Sequence, residues 1–79
     1  MEYRVQDTYQ EWQATFSKEE FLEFIQGIVS NNMNDFEELQ EETPNSELVK
    51  LLERALENTE TLSEEELKAV CSWGGYELK

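Results

Sequence analysis

The sequence predicts an all-α fold: one acidic helical domain over residues 1–79, built as a bundle of four to five short helices. Three observations point there. Two helix starts carry a complete capping grammar, apolar residues recur at helical spacing in separate stretches, and Pro44 and Gly74-Gly75 punctuate the chain.

The N-terminal segment admits two readings. Val5, Tyr9, Trp12 and Phe16 lie at i, i+4, i+7 and i+11, a helical face, and Thr8 with Glu11 offers a capping box. Tyr3 and Val5 alternate with polar neighbours, which suits a short strand over residues 1–12. The first firm helix starts at Ser17. Its hydroxyl is placed to cap the first turn, Glu20 to reach back to the Ser17 amide, and Phe16 and Phe21 to act as a staple. Phe21, Leu22, Phe24, Ile25, Ile28 and Val29 then form an apolar stripe that ends at Ser30-Asn31-Asn32.

Residues 35–42 predict a short helix anchored by Phe36 and Leu39 and closed by Thr43-Pro44. Thr43 is the expected cap of the next helix, with Pro44 at its first position. That helix carries Leu48, Val49, Leu51, Leu52, Ala55 and Leu56 and fades at Asn58-Thr59. Ser63 and Glu66, flanked by Leu62 and Leu67, repeat the capping box and staple. The last helix places Leu67, Val70, Cys71 and Trp73 on one face and stops at Gly74-Gly75.

Composition separates this chain from acidic disordered tails. Nineteen acidic residues against six basic ones give a net charge of −13, yet 11% of residues are aromatic and 38% apolar. Disordered acidic segments lack that aromatic content because they build no core. One cysteine excludes an internal disulfide and fits a reducing compartment. The first residues show neither a basic nor an apolar signal region, and no apolar run approaches the roughly 20 residues that span a bilayer. The expectation is a cytoplasmic protein, in the host cell's cytoplasm if phage-encoded, with no membrane partner.

Catalysis is disfavoured by what is missing. With no histidine, the usual neutral-pH base and the commonest metal ligand are absent, and Ser-His or Cys-His nucleophiles are impossible. Cys71 sits on an apolar face beside Val70 and reads as a small buried hydrophobe. One cysteine without histidine does not hold zinc. An EF-hand starting at Asn32 would put Phe36 at a ligand position and Glu37 where glycine belongs. Pairs such as Glu19/Glu23 and Glu53/Glu57 read as solvated helix faces, and no pocket is expected in so small a bundle. The chain is expected to be no enzyme and to need no cofactor or metal.

The acid is concentrated. Between Asp35 and Glu66 stand twelve carboxylates and two bases, Lys50 and Arg54, so −10 of the −13 lies in 32 residues. Glu53, Glu57 and Glu60 step by four and three along one predicted helix face, and Asp35, Glu37, Glu38, Glu41 and Glu42 fill the preceding helix. Helical neighbours at that spacing lie ~5–6 Å apart. DNA phosphates follow each other at about 3.4 Å of axis on each strand. A glutamate row is therefore a sparse imitation of a phosphate row. Direct nucleic-acid binding is not expected, because phosphate contact needs a cationic stripe that six scattered bases do not make. A second contact candidate is the Trp73/Tyr76 end, where aromatics flank a glycine pair; its plainer reading has Trp73 on the core and the glycines turning the chain.

In size, acidity and lack of catalytic groups the chain resembles small phage inhibitors of host defence, the anti-CRISPR and anti-restriction proteins, many of which mimic DNA. Glu20-Phe21-Leu22 and Glu47-Leu48-Val49-Lys50-Leu51 are similar to the first and second helices of nuclease-colicin immunity proteins, which are acidic four-helix bundles. The paired-tyrosine-proline segment of those proteins has no counterpart, so no residue roles carry over.

The leading expectation is a non-enzymatic inhibitor that blocks a basic, nucleic-acid-handling surface on a nuclease or effector complex. Asp35, Glu37, Glu38, Glu41, Glu42, Glu53, Glu57 and Glu60 form the expected contact set, with Trp73 and Tyr76 as the second candidate. The alternatives are an immunity or antitoxin protein neutralising a toxin, and a helical adaptor using the Trp73/Tyr76 end. Like charges oppose self-association, so a monomer or a weak dimer is expected, with any dimer burying an apolar patch away from the acid.

Overall fold

The computed structural model describes residues 2–78 and corrects the fold class from all-α to α+β. Its elements run β1 (Glu2–Asp7), β2 (Gln13–Ser17), α1 (Lys18–Ser30), α2 (Met33–Glu42), α3 (Glu47–Glu57), a 3₁₀ turn (Thr59–Thr61), α4 (Glu64–Trp73) and β3 (Tyr76–Leu78). The three strands form one antiparallel sheet in the order β2-β1-β3.

The helical face of Val5, Tyr9, Trp12 and Phe16 does not form, because alternation across two strands wins over it. Tyr3 pairs with Phe16 and Val5 with Ala14, which puts one apolar face of the hairpin against the helices. Tyr3 and Val5 are buried, while Phe16 and Ala14 are half-buried. The predicted Thr8/Glu11 box is absent too. Asp7 Oδ1 instead accepts from the Tyr9 amide at 2.8 Å, a local turn, and the Asp7 amide donates to the Trp12 carbonyl at 3.0 Å. Both the amide and the hydroxyl of Thr8 donate to the Gly75 carbonyl, at 3.0 and 2.8 Å. Gly75 holds φ at 88°, a left-handed conformation that turns the chain from α4 into β3. The third strand therefore depends on a partner some 70 residues away in sequence, Val5 facing Leu78.

Both full capping boxes are present. Ser17 and Glu20 open α1, and Ser63 and Glu66 open α4, each with the reciprocal pair of bonds. Of the two residues at the first staple, Phe16 stacks on Phe24 at 4.9 Å and Phe21 stacks on Tyr3 at 4.3 Å. The cap of α3 is Ser46 rather than Thr43, its hydroxyl accepting from the Val49 amide at 3.1 Å. Thr43 instead closes α2, its amide and hydroxyl both donating to the Leu39 carbonyl. Phe21, Ile25 and Val29 of α1 meet Val49 and Leu52 of α3 and Val70 and Cys71 of α4 in a core that excludes water.

Candidate functional site

The acidic face is built on α2. Phe36 is buried and Leu39 half-buried, which fixes the rotation of the helix on the body. Asp35, Glu37, Glu38, Glu41 and Glu42 are then all exposed, spread over the opposite half of its circumference. The Gln40 side-chain amide donates to Glu53 Oε1 at 3.1 Å, tying α2 to α3 and setting Glu53 beside the α2 row.

Glu60 does not continue the α3 row as the spacing predicts. The helix ends at Glu57, and Asn58 is extended at φ −163° and ψ 102°. Its Oδ1 accepts from the Glu60 amide at 3.0 Å, so Glu60 sits in the 3₁₀ turn. The break brings Glu57 and Glu60 together with Glu19 and Glu23 of α1 around an open cleft of about 360 Å³, with Leu22, Gln26, Asn58 and Thr59 also lining it. A shallow cleft thus exists where none is expected. The Glu19/Glu23 pair is visible in sequence as an i,i+4 repeat. Its meeting with Glu57 and Glu60 is a tertiary event.

The bases do little to neutralise this surface. Arg54 Nη1 reaches Glu66 Oε2 at 2.6 Å, the one ion pair among the described residues, and Arg54 Nη2 also donates to the Thr61 carbonyl. Glu66 is held below the usual carboxylate range chiefly by the Ser63 amide, with Arg54 adding to it. Glu20 is lowered in the same way by the Ser17 amide and hydroxyl. These two carboxylates serve the helix caps. Of the α2 acids, Asp35 stands in the first turn, where the helix dipole favours it, while Glu37, Glu38, Glu41 and Glu42 serve neither end of the helix.

Trp73 is half-buried and packs on the core, and Tyr76 lies in β3 rather than on a free end. Tyr76 belongs to an aromatic shelf: its ring is 5.0 Å from Phe24 and 5.9 Å from Trp12, while Trp12 lies 6.2 Å from Phe24. Trp12 is 39% exposed. Nothing local in the sequence announces that Trp12 and Phe24 meet Tyr76.

Cys71 is fully buried and its thiol is pushed up to about 12 by burial, which leaves it protonated and inert. Among the described residues no three His, Cys, Asp or Glu side chains gather as metal ligands, and no helix is long and apolar enough to cross a membrane. The arrangement offers charge and shape. Comparison with known proteins found no matching family, no matching curated protein and no matching solved structure.

Proposed function

We propose that the chain is a non-enzymatic binding protein whose α2 face, extended by Glu53 and the Glu19/Glu23/Glu57/Glu60 cleft, occupies a basic, nucleic-acid-handling surface of another protein and blocks it. The observation that carries this reading is the placement of acid on α2. Five carboxylates stand exposed on ten residues, and none takes part in an ion pair among the described residues. Glu41 and Glu42 occupy the last turn, where the helix macrodipole is negative and no basic residue offsets them. Helix stability disfavours acid there, so a requirement outside the fold accounts for it better than solubility does.

A row of glutamates on a rigid helix steers a cationic partner over long range and aligns it at short range. The cleft adds a place for a lysine or arginine side chain, its stem over Leu22 and its head among the carboxylates.

The test is capture from a lysate of the cells that encode the chain, at several salt concentrations, with duplex DNA or RNA as competitor. Capture that weakens steeply with salt, yields to nucleic acid and is lost in the E37K/E38K/E41K/E42K variant is the expected result. A salt-independent partner, or one retained by that variant, overturns the reading.

A further inference from the structure

We infer that the open edge of β2 pairs antiparallel with the same edge of a second copy, joining two three-stranded sheets into one of six strands. The inference is independent of the acidic-face reading, since the paired strand carries none of the carboxylates of α2, α3 or the cleft. From Trp12 to Ser17 the chain carries no charge, and β2 is an edge strand. Natural edges are usually blunted by lysine, proline or a bulge. Between Gln13 and Ser17 this one has neither lysine nor proline.

The register follows from the hydrogen bonds already present. The Asp7 amide donates to the Trp12 carbonyl, and Gln6 faces Gln13, so Asp7/Trp12, Val5/Ala14 and Tyr3/Phe16 are the pairs bonded within the hairpin. By alternation, the backbone groups of Gln13, Thr15 and Ser17 point to the open side. The Ser17 amide is already given to Glu20 Oε1 at 3.0 Å, which closes that end. Gln13 and Thr15 remain. Pairing Gln13 with Thr15 of the second copy, and the reverse, satisfies all four of their outward groups in one symmetric ladder.

That register is also complementary in its side chains. Ala14 falls opposite its own copy on the two-fold axis, where the closest pair in an antiparallel ladder needs a small residue. Trp12 falls opposite Phe16 on the aromatic side, once in each direction, so the half-exposed Trp12 ring gains a cross-strand aromatic partner. Glu11 falls opposite Ser17, beside Lys18 of the second copy and also beside the Glu20 carboxylate held on the Ser17 amide, so charge adds nothing net to the pairing. The α2 acids lie outside the paired strand. Four backbone bonds and two aromatic pairs make a small interface, which sets a weak association.

Sedimentation or light scattering on the intact chain, from roughly 10 µM to 1 mM, should show the mass doubling with concentration. The amides of Gln13 and Thr15 should gain protection from hydrogen exchange over the same range. An A14C variant should cross-link on oxidation, since the facing Cα atoms would lie roughly 4.5 Å apart. Thr15→Pro removes one outward amide at an edge where proline is tolerated, and should remain folded and monomeric. If Thr15→Pro unfolds, the exchange and cross-linking measurements decide. A chain of monomer mass throughout overturns the proposal. So does a dimer in which A14C does not cross-link, and so does protection of Gln13 and Thr15 that appears only with a different protein bound.

Discussion

The Tyr3 hydroxyl donates to Glu64 Oε1 at 2.7 Å, joining the first strand to the first turn of the last helix across 61 residues of sequence. The Tyr3 ring lies flat on Phe21, 4.3 Å between centroids and 7° between planes. One side chain thus fixes β1 against both α1 and α4. Donation to a carboxylate, desolvation and the nearby Glu64 charge all raise the phenol above its ordinary value. Tyr3→Phe keeps the stack and loses the bond. It is expected to cost about 1 kcal/mol in urea unfolding, less than a bond to a buried charge because Glu64 is exposed.

That contact shows why the helices were legible and the sheet was not. Ser17 with Glu20 and Ser63 with Glu66 are local grammar, spaced three apart, and both boxes stand in the structure as the sequence implies. The sheet has no such local signature. Its third strand, Tyr76–Leu78, is three residues long and exists because Thr8 holds Gly75 and Val5 faces Leu78. Residues 5, 9, 12 and 16 imitated a helical face, while Tyr3, Val5, Ala14 and Phe16 carried the alternation that prevailed. The α2 acids were legible because Phe36 and Leu39 set the helix rotation locally. The placement of Glu60 turned on the backbone of one residue, Asn58.

Acid should destabilise the protein partly through its caps. Glu20 and Glu66 sit below the ordinary carboxylate value of 4.5 when folded. A lowered folded value means the unfolded chain binds more protons in that range, so stability is full above about pH 4.5 and is lost as pH falls through the folded values. Glu20→Gln preserves the box, because glutamine also reaches the Ser17 amide, but removes the titration. Unfolding free energy followed from pH 6 to pH 3 should fall less steeply in Glu20→Gln than in the parent, at roughly constant slope in urea.

The three glycines should respond with different signs. At Gly27 an added Cβ meets nothing within 4 Å, so Gly27→Ala should raise stability by about 0.5–1 kcal/mol through helix propensity alone. At Gly74 the Cβ would stand 2.5 Å from Ile28 Cγ2, and Ile28 is buried; Gly74→Ala should cost about 1–3 kcal/mol. Gly75→Ala meets a backbone that alanine rarely adopts and should cost about 1–2 kcal/mol. Parallel thermal and urea unfolding of the three variants checks the order.

Cys71 should report global opening. Its thiol is buried and pushed up to about 12, so the native state holds almost no thiolate at neutral pH. Labelling by a thiol reagent should be slow, should accelerate in step with urea unfolding, and should slow further in Gly27→Ala. Rapid labelling of the native protein would mean that α4 opens locally.

The α2 acids should reveal a conflict between binding and stability. Glu41 and Glu42 lie at the negative end of the helix, close to Glu37 and Glu38 one turn back. Replacing either with lysine reverses an unfavourable dipole interaction and relieves like-charge crowding, so E41K and E42K should each stabilise the fold by about 0.3–1 kcal/mol at low salt. Salt should shrink that gain by screening both terms. The same substitutions should weaken capture of a basic partner and flatten its salt dependence. Stability rising while binding falls is the signature of charge held in place for a partner. Acid that served only solubility would give the first effect without the second.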